Sequence, residues 1–128
     1  MRRALVSFGL SAAMAVPPVA ALAAPTLRVI MHAWQNDARA IHEMLTGRTA
    51  FDEGTIRRAF QTYATDAGGI SSAVTGGSPK AREFKQRFLA FRSGAQSALN
   101  DLGNRATLAA AFSQLMSQCQ SCHNRFKN

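Results

Sequence analysis

The stretch Cys119-Gln120-Ser121-Cys122-His123-Asn124-Arg125-Phe126-Lys127-Asn128 carries two thiols three positions apart, followed at once by an imidazole. On a helix Cys119 and His123 are one turn apart and Cys122 lies three residues from Cys119, so all three side chains can address one flat surface. Other chemistries of paired thiols fit this setting less well. A redox-exchange C-x-x-C follows a strand and sits at a helix N-terminus, where the dipole lowers the thiol pKa. Here the pair lies at the far end of a helical pattern. A structural zinc site needs four ligands, and outside the motif only His32 and His42 remain to complete it. A disulfide across so short a span would be strained and would cross-link almost no chain.

The reading that uses all three residues is covalent haem attachment. The sulfurs of Cys119 and Cys122 add to the two porphyrin vinyl groups as thioethers, and His123 binds the iron on the proximal face. One covalently held haem c is therefore expected.

Working outward from the motif, the residues before it repeat one amphipathic pattern four times, at alternating spacings of four and three. The first stripe is Leu27, Met31, Trp34, Ala38, Ile41 and Leu45, on a helix from about Thr26 to Thr46. After Gly47 the second places Ile56, Phe60, Tyr63, Ala67, Ile70 and Val74, with Asp52 and Thr55 as alternative N-caps. Gly68 and Gly69 should weaken or bend it. Ser78-Pro79 is a good N-cap and N1 pair for a third helix, with stripe Phe84, Phe88, Phe91, Ala95, Ala98 and Leu102. Arg87, one place before Phe88, should be exposed. Gly103 is expected to end this helix in a left-handed conformation, and Asn104 to cap the next. The fourth stripe is Leu108, Phe112, Leu115, Cys119, Cys122 and Phe126, which puts both cysteines at core positions.

Four such helices joined by short loops predict an all-α fold, an antiparallel up-down-up-down four-helix bundle with haem near the C-terminal end of helix four. In that topology the start of helix one lies beside the end of helix four. Met31 thus comes near His123 and is the candidate distal iron ligand, although a methionine on an apolar stripe is equally explained by packing. His32 points away from it, and His42 lies about 16 Å further along the helix, too far for the same iron. Met116 is read as packing.

The opening has the form of a secretory signal: Arg2 and Arg3, a short apolar core, and Ala21-Leu22-Ala23 as a cleavage site. Cleavage after Ala23 divides the chain into a signal peptide, 1–23, and one cytochrome-sized domain, 24–128. The signal is too short and too broken by Pro17 and Pro18 to anchor in a bilayer, and no other stretch reads as an integral membrane segment. Removing Arg2 and Arg3 leaves 13 basic against 7 acidic residues, formally +6. An exported protein does not meet nucleic acid, so the basic balance is read as a solvated surface able to steer acidic redox partner proteins. With no paired carboxylates at a shared site, no nucleophile beside a base and no Gly-rich phosphate loop, no enzyme is expected.

Together, the four helices and a C-x-x-C-H late in the chain, followed by Phe126 and Lys127, resemble the class II c-type cytochromes, the family of cytochrome c′ and its low-spin relatives. The resemblance covers essentially the whole of residues 24–128. It implies a monohaem protein of the periplasm that moves single electrons, with Met31 at the distal register of the first helix. It also implies the alternative of a five-coordinate iron that binds NO or CO, and a homodimer formed through the first two helices. Two positions depart from the family pattern. Leu27 stands where an Arg is usual, with Arg28 next to it, and Phe88 and Phe91 stand where relatives often have a Trp and a Phe.

Overall fold

A computed structural model describes residues 26–126; the expected signal segment 1–23 and its expected cleavage site, like Lys127, lie outside them. The four expected helices form: α1 Leu27–Leu45, α2 Glu53–Ala73, α3 Pro79–Ala98 and α4 Arg105–Phe126. Each start has a side-chain cap that takes up backbone N–H groups the first turn leaves without partners. Thr26 accepts from Val29 N, Asp52 from Gly54 N, Ser78 from Ala81 N with Pro79 at the first helical position, and Asn104 from Ala106 N and Thr107 N. Of the two candidates before α2, Asp52 is the cap. Thr55 sits inside the helix and donates its hydroxyl to Asp52.

One local expectation is corrected. Gly103 is not left-handed; the positive-φ residues among those described are Gly47 and Gly76. The chain instead leaves α3 through a 3-10 turn, Leu99–Asp101, and the Asn104 N–H closes on the Asp101 carbonyl at 3.1 Å. That tighter winding reverses direction without a positive φ. Gly68 and Gly69 lie within α2, which runs on to Ala73. At Gly68 the missing side chain makes room for Arg92 of α3, since a Cβ there would stand 3.3 Å from the guanidinium.

Close backbone approaches run from α1 to α2, from α2 to α3 and from α3 to α4, with α2 and α3 the most extensive pair. The result is an all-α, up-down-up-down bundle. Its core is the four stripes: Ile41, Ile56, Phe60, Tyr63, Leu108 and Leu115 are almost wholly buried. Each such side chain contributes about 1.5–3 kcal/mol on burial. An aromatic series runs from the centre to one end of the bundle: Trp34 stacks on Phe91 at 4.9 Å, Phe84 meets Phe88 at 4.9 Å, and Phe126 stands edge-on to Phe84 at 5.2 Å. That end is where the C-x-x-C-H segment lies. The opposite end is closed by Arg105 over the ring of Phe51, 4.1 Å from its centre.

Candidate haem-attachment site

Cys119, Cys122 and His123 are all presented by the last two turns of α4. The cysteines are half-buried and carry free thiols, Cys119 packed against the core, while His123 is exposed. Burial pushes the Cys119 thiol up to about 11, helped by the neighbouring Cys122, and burial raises Cys122 as well. Both are thus neutral thiols in the folded chain at pH 7. Tyr63, buried and raised mainly by desolvation, feels Asp37 and also Cys119, so the first thiol borders the aromatic centre of the bundle.

The segment is fastened to α3 on one side. Arg87 donates from Nη1 to Ser121 Oγ at 2.8 Å, and Glu83 accepts from Arg125 Nε at 3.2 Å and from Arg87 Nη2 at 3.2 Å. The Arg87 and Arg125 guanidinium groups also lie 5.7 and 5.8 Å from the Phe126 ring centre. Although partial burial works against its charge, these two guanidinium donors hold the Glu83 carboxyl below the usual range. Arg87 is therefore not the free surface residue that its register predicts. The i, i+4 spacing of Glu83 and Arg87 is visible in the sequence; the reach across to Ser121 is not.

Because Ser121 and Arg125 both face α3, His123, about 200° round the helix from each, projects on the opposite side of α4. An open groove of about 500 Å³ runs along α4 past Ser113, Met116, Ser117, Gln120, Ser121 and Asn124, with no other helix and not His123 lining it. Met31 lies on α1 at the same end of the bundle, half-buried against the core. Its neighbour Ile30 lines a cleft with Ile70 and Ala73 of α2 and Phe84 of α3. Met31, the next residue on α1, is among the partly buried apolar residues packed on the core. The helices α1 and α4 do not close on each other as the other neighbours do. Cys119, Cys122 and His123 thus share the last two turns of α4, and Met31 lies on α1 at the same end of the bundle. His32 and His42 are exposed on α1, and no group of three or more His, Cys, Asp or Glu residues is placed to hold a metal ion among the described residues. The zinc reading therefore lacks its ligands.

The donor set suits a haem: two free, half-buried thiols on one helix, an exposed imidazole beside them and a thioether on α1 at the same end of the bundle. In the comparison with protein families, the model of Cytochrome C' matches residues 27–127. The chain belongs to the cytochrome c′ family. Membership makes it a haem-binding c-type cytochrome, and the match spans all four helices. No curated protein matches the chain. As in the resemblance read from the sequence, cytochrome c′ architecture here rests on helices whose inner faces are apolar and on an attachment segment in the last turns of α4. No described helix is long and apolar enough to cross a membrane.

Proposed function

We propose that this cytochrome is a monohaem electron carrier of the periplasm, its one haem c held by thioethers to Cys119 and Cys122, with His123 as proximal and Met31 as distal iron ligand. A haem so bound supplies one-electron chemistry, the iron alternating between ferric and ferrous. The protein's own part is binding and enclosure. Cys119 and Cys122 fix the macrocycle along the inner side of α4, the Glu83, Arg87 and Arg125 contacts hold that part of α4 against α3, and the Trp34, Tyr63 and Phe91 cluster supplies an apolar interior. His123 and Met31 would be the residues holding the iron of a bound haem, and such a His and Met pair would raise its potential, which suits a carrier better than an enzyme. What supports this reading is that Met31 lies on α1 at the same end of the bundle as His123 and half-buried at the core, whereas His32 and His42 are exposed.

The same residue supports a second reading. Met31 already packs against the core, and if it keeps that packing the distal position stays open to small uncharged ligands such as NO or CO. The ferric optical spectrum of the wild type and of Met31→Ala separates the two. A sulfur-to-iron band near the red edge, lost in the variant, is the expected result. A high-spin wild type that takes up CO at once, unchanged by the substitution, gives the second reading instead. Pigment lost to acid-acetone from protein matured with a cytochrome c assembly system would overturn both.

A further inference from the structure

Charge is unevenly distributed along the bundle. At the C-x-x-C-H end, the starts of α1 and α3 and the last turn of α4 carry Arg28, Lys80, Arg82, Lys85, Arg87 and Arg125. Glu83 is the one acidic residue there among the described residues. At the opposite end Arg48, Arg57, Arg58 and Arg105 are balanced by Glu43, Asp52, Glu53 and Asp101, and in the middle Arg39 and Arg92 by Asp37 and Asp66. The whole net charge of the described residues, six positive against one negative, thus sits at the attachment end. The two carboxylates of a bound haem would leave that end positive.

The cations there are available. Lys80, Arg82 and Lys85 are exposed and form no ion pair among the described residues; Arg82 donates to the Gly77 carbonyl, which leaves its charge uncompensated. Apolar surface lies at the same end. Leu27 is 41% and Val29 57% exposed, and a cleft of about 260 Å³ is lined by Leu27, Ile30, Ile70, Ala73, Val74 and Phe84. Exposed apolar surface and charge together at one end of a bundle suit a protein interface. Opposite charges on a partner would speed encounter and orient it with this end inward. An anionic membrane surface is the less suitable occupant, because membrane-surface binding uses a helix lying flat with its cations along one side. Here the cations come from the ends of three helices.

We propose that the end of the bundle formed by the starts of α1 and α3 and the last turn of α4 docks an acidic electron-transfer protein, with Lys80, Arg82 and Lys85 as the steering cations and Leu27 and Val29 in the contact. This rests on the carrier reading above. The test mixes the reduced holoprotein, by stopped flow, with an acidic blue-copper protein of the plastocyanin type across a range of ionic strength. The second-order rate should fall by about ten-fold or more from low to high salt. The triple substitution Lys80→Glu, Arg82→Glu and Lys85→Glu should lower the low-salt rate by at least about ten-fold. These changes put acidic residues in the first two turns of α3, where the helix dipole favours them, so the fold should stand. Arg48→Glu, Arg57→Glu and Arg58→Glu alter the net charge equally at the far end and should change the rate by less than about two-fold. Equal losses in the two variants, or a rate indifferent to salt, would overturn the proposal. So would a salt-indifferent rate together with lysine-dependent binding to phosphatidylglycerol vesicles, which would assign the surface to a membrane. A protein without covalent haem, or one that dithionite does not reduce reversibly, fails the carrier reading before any mixing and takes this one with it. Normal reduction without the end-to-end asymmetry fails this one alone.

Discussion

Arg87 of α3 donates a 2.8 Å hydrogen bond to Ser121, one of the two residues enclosed by Cys119 and Cys122. The same guanidinium pairs with Glu83, which also holds Arg125, so two cations and one carboxylate tie the attachment segment to α3. The arrangement restrains the last turns of α4, where intrahelical bonds alone would leave the carbonyls without partners.

Arg87→Ala should therefore cost about 1 kcal/mol in urea unfolding, the sum of one charge-assisted hydrogen bond and a partly exposed ion pair, and not the few tenths of a bare surface change. Amide exchange should accelerate in the last two turns of α4 and stay unchanged in α2. A uniform change along the chain would show that the contact does not act locally.

Gly94 and Gly69 should respond to alanine in opposite directions. A Cβ at Gly94 would stand 3.0 Å from Leu115 Cδ2 and 3.6 Å from the Gln118 amide, and Leu115 is only 1% exposed, so the α3–α4 contact must open. The expected cost is about 1–3 kcal/mol. A Cβ at Gly69 meets nothing within 4 Å, and in mid-helix it should stabilise by about 0.5–1 kcal/mol. Thermal unfolding of the two variants gives the sign directly.

Phe88 is 6% exposed, 4.9 Å from Phe84 and 6.4 Å from Trp34. Truncation to alanine would leave a cavity walled by aromatic rings that do not collapse easily, at a cost of about 3–5 kcal/mol. Denaturant titration should show a lower midpoint with an unchanged slope.

Asp37 gives a pH-dependent prediction. It is half-buried on α1, and desolvation raises its carboxyl above the usual value, with no ion pair to offset this among the described residues. A carboxyl raised in the folded state binds more protons there than in the unfolded chain. Stability is therefore lost as pH climbs from the unfolded pKa to the folded one, and the penalty is full above it. Asp37→Asn should raise the melting temperature at pH 7, and the gain should vanish below the ordinary carboxyl pKa of about 3.9. A gain of equal size at both pH values would rule out ionisation as its cause.

The sequence by itself determined the four helices, because apolar residues at spacings of three and four, with Thr26, Asp52, Ser78 and Asn104 ahead of them, are local signals that need no tertiary contact to act. It also put Cys119, Cys122 and His123, the candidate attachment residues, as neighbours on one helix, where α4 has them. Turn geometry was less legible. Gly103 has the residue type for a left-handed stop, yet the 3-10 turn at Leu99–Asp101 reverses the chain first and satisfies its carbonyls another way. What only the tertiary structure decided were relations between helices: that Arg87 reaches Ser121, that Gly94 lets α3 approach Leu115, and that the starts of α1 and α3 join the end of α4 in one positive surface. Charges scattered through the sequence have no common helical stripe. They gather only because an up-down-up-down bundle brings the beginnings of odd helices to the same end as the finish of the last one.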